Sequence, residues 1–237
     1  MDAEVKPPPN VLLAGIVGST AYGLAHEGSD IDRLGAYAAP TVQFHGLDPP
    51  CARDKTLVST RPDATYHEAG KQASLMLRCN PHATELAWLS AYEVITPEGE
   101  ALITIRSSFL SAPEIRNAYL GYATQQLRRI RNRGNGALSP DARSKASKHA
   151  RHLWRLLYQG CQLHQAGHLP VRLPPAQAQS CREFGETVAA GDLAIADEAL
   201  RAAGEAFDAP GVLPDRPDKA AAEAWLQDVR RAYWDRS

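Results

Sequence analysis

A Gly-Ser pair and an Asp-x-Asp pair, each beside an apolar run of strand length, constrain the fold of this chain most. The apolar run Val11–Val17 leads directly into Gly18 and Ser19, and a second apolar run follows the acids Asp30 and Asp32. Successive side chains of a strand point to opposite faces, so the two acids are expected on one face. Neighbouring carboxylates repel each other, and a divalent cation between their oxygens removes that repulsion. The acidic pair therefore predicts a metal site, with Mg²⁺ as the expected ion.

Gly18 and Ser19 supply the complement to such a metal site. A glycine lets the backbone approach a phosphate closely, and the Ser19 hydroxyl and nearby N–H groups can donate hydrogen bonds to its oxygens. Neither pair is specific alone, because an isolated Asp-x-Asp is more often a surface turn. The combination, with one strand before the glycine and another carrying the acids, is typical of a metal and nucleotide site.

Three segments of the chain carry a resemblance to a known family. The first comprises Gly18-Ser19, Ala21-Tyr22-Gly23-Leu24, Ser29-Asp30-Ile31-Asp32 and Gly35. The later two comprise Asn80-Pro81 with Glu85-Leu86, and Lys148, His152 and Arg155-Leu156. Together they resemble the DNA polymerase beta-type nucleotidyltransferase superfamily, and in particular its bacterial and phage branch of predicted nucleotidyltransferases of RNA-repair type. The resemblance spans roughly residues 11 to 170, and its first segment is the most specific.

The resemblance implies an α+β fold, in which a small mixed β-sheet with flanking helices is followed by a C-terminal helical lobe. We expect the nucleotidyltransferase core, with the Gly-Ser and Asp-x-Asp motifs, over residues 1–100. The helical lobe, with a basic helix and acidic C-terminal helices, is expected over residues 101–237. At 237 residues and 44% hydrophobic content, the chain can bury one large core or two modest ones.

The implied fold needs a third carboxylate on the strand beside Asp30 and Asp32. The two ions of a two-metal site lie about 4 Å apart, so they share ligands. The candidates for the third acid are Asp54, Asp63 and Glu68. We assign Glu68, because the segment that ends there is strand-like and runs directly into an amphipathic helix. Most members of the superfamily have Asp at this position.

A further acid, Glu85, lies on a short helix that is predicted after Pro81. We expect its carboxylate on the surface of that helix. The alternative is that Glu85 orients a basic partner in the site.

Positive charge is concentrated between Arg116 and Arg155. Lys148, His152 and Arg155 stand at i, i+4 and i+7 of a predicted helix, nearly opposite its apolar stripe. The resemblance favours these three as contacts to a triphosphate over a solvated polar face, with Lys148 as the first choice. Only Asp141 is acidic in this segment, and ten residues are basic: Arg116, Arg128, Arg129, Arg131, Arg133, Arg143, Lys145, Lys148, Arg151 and Arg155.

The resemblance implies transfer of a nucleoside monophosphate from a nucleoside triphosphate to an acceptor hydroxyl, with release of pyrophosphate. Asp30, Asp32 and Glu68 would be the catalytic acids and would bind two Mg²⁺ ions, with Mn²⁺ as a possible substitute. The local positive charge favours an RNA acceptor such as a tRNA 3′ end. The formal net charge of −1 favours a small molecule or a protein hydroxyl instead. A nucleotide- or RNA-binding module without turnover is the non-enzymatic alternative.

The cysteines and the residues near the N-terminus predict the cellular compartment. The four cysteines are scattered without the spacing of a zinc site, so we expect free thiols in a reducing compartment. Pro7, Pro8 and Pro9 stand where a signal peptide would need an apolar segment, and no apolar run approaches the length of a membrane span. The sequence predicts a soluble, cytoplasmic protein without a membrane partner and leaves its oligomeric state open.

Overall fold

The computed structural model describes residues 7–51, 55–60, 63–132 and 140–236. Contacts along the chain divide it into two compact units. The first comprises Met1–Leu110 and Pro217–Ser237, and the second comprises Ser111–Arg216. This division differs from the expected boundary at residue 100, because the end of the chain returns to the first unit.

A five-stranded mixed sheet forms the centre of the first unit. In chain order its strands are Val11–Val17 (β1), Asp32–Tyr37 (β2), Thr56–Thr60 (β3), Asp63–Glu68 (β4) and Val94–Ile95 (β5). They lie in the order β3-β4-β2-β1-β5. β2 and β4 run parallel, whereas the other three neighbouring pairs run antiparallel. The interior strand β1 is largely apolar on both faces, as expected for a strand covered on both sides.

Helices surround the sheet in the first unit. The helices before residue 110 are Gly18–Tyr22 (α1), Ala69–Leu77 (α2), Pro81–Glu85 (α3) and Pro97–Thr104 (α4), with 3-10 turns at Thr41–His45, Leu86–Trp88 and Arg106–Phe109. Local sequence sets two of these starts. Asn80 accepts from the N–H groups of His82 and Ala83 ahead of Pro81, and Thr96 accepts from Gly99. Such N-caps followed by proline are standard helix starts. Together the sheet and these helices confirm the expected α+β fold.

The described part of the second unit is helical. Its helices are Ala112–Arg131 (α5), Pro140–Ala166 (α6), Pro175–Ala189 (α7) and Ala194–Asp208 (α8). Gly160 lets α6 approach α5 closely, because a Cβ there would lie 2.8 Å from Cβ of the fully buried Tyr119. None of the described helices is both long and apolar enough to cross a membrane.

The last helix, Lys219–Ala232 (α9), belongs to the first unit rather than to the expected C-terminal lobe. Its packing side, which includes Trp225 and Val229, is buried. The Trp225 indole donates to the Glu98 carbonyl at 2.9 Å, and the Thr41 hydroxyl donates to the Arg230 carbonyl at 2.8 Å. Because these long-range contacts join α9 to the first unit, the second unit ends at Arg216 instead of continuing to residue 237.

Candidate active site

Gly18 lies directly beside the carboxylate of Asp32. β1 ends at Val17, which pairs with Asp32, and α1 begins at the next residue. Gly18 has a φ of +70°, a backbone conformation that residues with a Cβ rarely adopt. A Cβ at this position would also overlap Oδ2 of Asp32. The structure therefore brings the Gly-Ser and Asp-x-Asp motifs together as one site.

The two acids of the Asp-x-Asp motif have different surroundings. Asp32 is half-buried and begins β2, whereas Asp30 precedes the strand and is exposed. A turn leads into Asp30, because Ser29 N donates to the His26 carbonyl at 3.0 Å and His26 N donates to Ser29 Oγ at 2.9 Å. The expectation that both acids lie within one strand therefore holds for Asp32 alone. Ser19, in the first turn of α1, is half-buried.

Glu68 requires a correction, because it lies at the other end of the sheet. In the parallel β2–β4 pair, Glu68 aligns with Tyr37, the last residue of β2, whereas Asp32 is the first. Five residue steps at about 3.3 Å each separate the two ends by roughly 16 Å, and the odd number of steps puts the side chains on opposite faces. Glu68 is 1% exposed and pairs with Arg230 at 2.6 Å, and its other oxygen accepts from Gly70 N at 2.9 Å. The structure does not bring Glu68 to the acidic pair.

Asp63 is the acid that the strand register brings to Asp32. Arg33 aligns with Ala64 in the parallel β2–β4 pair. The residues immediately before this pair, Asp32 and Asp63, therefore begin adjacent strands at the same end, with side chains leaving the same face. Asp63 is exposed. The remaining candidate, Asp54, lies outside the described residues.

The acids at this end of the sheet fit a magnesium ion. Mg²⁺ in proteins is held by one or two carboxylates together with water and substrate phosphates. Within the described ranges, no three His, Cys, Asp or Glu side chains converge closely enough to hold one metal ion by themselves. Oδ2 of Asp32 lies where a Cβ of residue 18 would be, so only a glycine at this position admits the carboxylate beside the loop. This donor set suits a cation whose remaining ligands come from substrate and water.

Glu85 is buried and contacts α1 through Tyr22. The expectation that its carboxylate lies on the helix surface is therefore wrong. The residue is 1% exposed. The Tyr22 hydroxyl, at the end of α1, lies 3.0 and 2.9 Å from its two carboxylate oxygens, and His82 Nδ1 lies 3.0 Å from Oε1. The short helix that begins with Gly18 and Ser19 is therefore tied to α3 through a buried carboxylate. His82 is thus a basic partner of Glu85, and the alternative that Glu85 orients such a partner in the site stays a prediction.

His67 lies on the same face of the sheet as Asp32 and is 9% exposed. Burial, together with smaller effects of the charges of Lys71 and His82, lowers the pKa of its imidazole from 6.5 to about 4. Thr56 Oγ1 lies 3.1 Å from His67 Nδ1. The imidazole is therefore neutral at pH 7, which the sequence alone did not indicate.

Lys148, His152 and Arg155 lie on α6 in the second unit. Lys148 is exposed and His152 is half-buried, but Arg155 is only 3% exposed. Arg155 Nη1 donates to Gln159 Oε1 at 2.5 Å, and Nη2 lies 3.0 Å from His152 Nδ1. The amide of Gln159 in turn donates to the Pro170 carbonyl at 3.0 Å. The expected polar face is therefore corrected for Arg155, because this network holds its guanidinium inside the unit.

Part of the basic segment is paired with acids of the second unit. Arg116 donates to Asp208 at 3.0 Å, and Arg131 donates to both carboxylate oxygens of Asp197 at 2.8 and 2.7 Å. Arg133 lies outside the described residues. Four basic residues of α5 and α6 are exposed without an ion pair to a described acid: Arg128, Arg129, Arg143 and Lys148.

Comparison with known proteins identifies the family. The family model RlaP, the RNA repair pathway DNA polymerase beta family, matches residues 2–190. None of the curated proteins is similar enough to match. The matched range covers most of the chain and includes the Gly18 and Asp32 site, β4 and α6, whereas α9 follows it. The chain therefore belongs to the RNA repair pathway DNA polymerase beta family, which makes it a nucleotidyltransferase of the polymerase beta type in RNA repair.

Proposed function

We propose that this protein transfers a nucleoside monophosphate from a nucleoside triphosphate to the 3′ hydroxyl of an RNA, in a reaction that depends on Mg²⁺. The observation that carries the proposal is the contact between Gly18 and the Asp32 carboxylate. This contact places two groups side by side. One is a loop whose backbone can come close to phosphates, and the other is an acid that can hold a cation. Membership of the polymerase beta-type family supports the reaction class.

The acids would hold the cation. Asp30 and Asp32, with Asp63 in place of Glu68, are the proposed ligands of two Mg²⁺ ions, for which Mn²⁺ can substitute. Bound Mg²⁺ would supply Lewis acidity, which eases ionisation of the acceptor hydroxyl and offsets the charge of the departing pyrophosphate. The hydrogen-bonded turn before Asp30 and the strand that begins at Asp32 orient the two carboxylates.

The Gly-Ser loop would hold the triphosphate. The backbone N–H of Gly18 and the hydroxyl of Ser19 are the proposed donors to its oxygens. In the transfer, the acceptor oxygen forms a bond to the α-phosphorus, and the bond from that phosphorus to the pyrophosphate oxygen breaks. The hydroxyl proton passes to a carboxylate of the site, for which Asp63 is the proposed acceptor. The predicted phosphate contact of Lys148 stays a prediction.

The exposed charge of the second unit supports an RNA acceptor. Arg128, Arg129, Arg143 and Lys148 are exposed on α5 and α6, where they can bind the phosphate backbone of a nucleic acid. The RNA-repair description of the family agrees with this acceptor. We propose that these side chains bind RNA phosphates, so affinity for RNA should fall with salt concentration as bound counterions are released.

The test is a label-transfer reaction with the purified protein. The protein is incubated with each α-labelled nucleoside triphosphate, Mg²⁺ and total cellular RNA, and labelled RNA 3′ ends are mapped. We expect transfer by the wild type and its loss in Asp30→Ala and Asp32→Ala, with exposed Asp48 changed to Ala as the matched control. Transfer that survives both substitutions would reject the site. Label on a small molecule or a protein instead of RNA would reject the RNA acceptor and keep the reaction class.

A further inference from the structure

One face of the sheet carries a row of side chains that crosses all five strands. The register aligns Leu57, Tyr66, Gly35, Ala14 and Val94 across the sheet in that order. The Tyr66 ring lies over Gly35, where a Cβ would be 2.5 Å from Cδ1 of the ring. Ala14 and Tyr66 are buried, whereas the two residues at the sheet edges are about 40% exposed. The row therefore forms a flat apolar surface, which ends at the two sheet edges in the partly exposed side chains of Leu57 and Val94.

A second row lies two residues closer to the strand ends that carry Gly18 and Asp32. It contains Ser59, Ala64 and Arg33, which align with one another across β3, β4 and β2. Arg33 follows Asp32 directly in the chain, and its side chain leaves the opposite face of the sheet. A cavity of about 370 Å³, which we call the sheet-face cavity, is lined by the two rows except Gly35, together with Pro7, Pro8, Val58 and Glu93. Pockets for small molecules begin at about 300 Å³, so its size suits one small ligand.

The Ser59 hydroxyl is the first polar group that the cavity offers. The residue is 7% exposed, and its Oγ is buried without a hydrogen-bond partner in the described ranges. A buried hydroxyl is normally hydrogen-bonded, because leaving it unpaired costs the free energy of its lost hydration. A ligand in the cavity could supply the missing partner.

Arg33 and Glu93 are the charged residues among the described lining residues. Arg33 Nε donates to the two oxygens of Glu93 at 3.1 and 2.9 Å. The two charges offset each other, so this part of the lining does not attract a phosphate. The remaining guanidinium N–H groups and the free lone pairs of the carboxylate can still bond the edge of a neutral ring.

We propose that the sheet-face cavity binds a nucleobase. A nucleobase is flat, uncharged and apolar on its faces, which matches the apolar surface that Ala14, Ala64 and Tyr66 give the cavity. Its edge carries donors and acceptors, which match Ser59 and the Arg33–Glu93 pair. Both the donor nucleotide and an RNA end carry such a base, so the chemistry is shared between these two sources. The proposal does not depend on phosphoryl transfer, because a free nucleoside has every group that the cavity recognises.

Binding of the four free ribonucleosides to the full chain, without metal ions, tests the proposal. Titration calorimetry should detect binding of at least one of them. Ser59→Ala should weaken it about five- to tenfold, the effect of one neutral hydrogen bond. Val94→Trp should abolish it, because Val94 lines the cavity and the larger indole would occupy part of its volume. Thr60→Ala and Ile95→Trp are the matched controls, because these neighbours on β3 and β5 point to the other face and should keep the wild-type affinity.

The outcomes separate this proposal from the transfer reaction. No nucleoside binding by the folded wild type at millimolar concentration would overturn it, as would binding that neither Ser59→Ala nor Val94→Trp weakens. Displacement of the bound nucleoside by a nucleoside triphosphate would assign the base to the donor, and displacement by a short RNA alone would assign it to the acceptor. Asp32→Asn should lose transfer and keep nucleoside binding, so failure of one proposal is visible without failure of the other.

Discussion

The carboxylate of Glu68 and the guanidinium of Arg230 form an ion pair, with Oε1 and Nη1 2.6 Å apart. Glu68 ends β4, and Arg230 lies on α9, which follows the range that the family model matches. The guanidinium carbon also lies 4.2 Å from the centroid of the Phe44 ring. These contacts join the last helix of the chain to the sheet of the first unit.

Loss of the Arg230 charge should destabilise the protein strongly. Arg230→Met leaves the Glu68 carboxylate, which is 1% exposed, without its counter-charge. Breaking a buried pair in this way costs about 3–5 kcal/mol of the free energy of unfolding. Urea unfolding measures the change. The matched control is Arg231→Met, which removes an exposed pair with Asp228 on the same helix and should cost less than about 1 kcal/mol. Equal effects of the two substitutions would contradict the role of the Glu68–Arg230 pair.

Asp63 and Glu68 should respond differently to neutralisation. Asp63→Asn should lower label transfer at least about 100-fold, since even outer residues of a metal site contribute up to that factor. Its stability should stay near that of the wild type, because Asp63 is exposed. Glu68→Gln should instead lower the free energy of unfolding and reduce transfer only with the folded fraction. Kinetics combined with urea unfolding distinguish the two, and the reverse pattern would restore Glu68 as the third acid.

The motif that organises the site was predictable because its parts are close in the chain. Gly18 and Asp32 meet across one antiparallel pair, and alternation along short strands is enough to place them. The third acid depends on which residue of β4 lies beside Asp32. That register is set by the pairing of Arg33 with Ala64, which no local pattern in the sequence encodes.

The burial of charged helix residues was the other feature that the sequence did not predict. A charged residue in a helix is expected on the surface, and the sequence gives no sign of a partner from a distant segment. Glu85 is nevertheless buried because Tyr22 and His82 bond it, and Arg155 is buried within its network with Gln159. The return of α9 to the first unit has the same cause, since the contacts of Trp225 with Glu98 and of Thr41 with Arg230 join residues that are distant in the chain.

Gly18→Ala tests the close approach between the loop and Asp32. Gly18 and Gly28 both have a left-handed φ, +70° and +82°, but a Cβ at Gly28 would meet nothing within 4 Å. Gly28→Ala should therefore cost only the left-handed conformation, about 1–2 kcal/mol. Gly18→Ala should cost more in urea unfolding and should also weaken binding of a nucleoside triphosphate. Equal losses of stability with unchanged nucleotide affinity would contradict the contact with Asp32.

His67 should make stability depend on pH. In the unfolded chain the imidazole takes up a proton below its usual pKa of 6.5, whereas in the folded protein it stays neutral down to about 4. The contribution of the neutral imidazole to the free energy of unfolding is therefore complete above pH 6.5 and is lost as the pH falls toward 4. Between pH 7.5 and pH 5 the loss should be about 2 kcal/mol. Urea unfolding of the wild type and His67→Gln across this range measures it, and identical pH profiles would contradict the burial of a neutral imidazole.

The most direct test of the site is binding of Mn²⁺ in the presence of a non-hydrolysable nucleoside triphosphate, followed by the EPR signal of free Mn²⁺. The wild type should bind the ion together with the nucleotide. Asp32→Asn should lower the affinity for Mn²⁺ at least about tenfold, while Asp48→Asn, at an exposed acid of the same unit, should leave it unchanged. Wild-type binding of Mn²⁺ and nucleotide by Asp32→Asn would contradict the account.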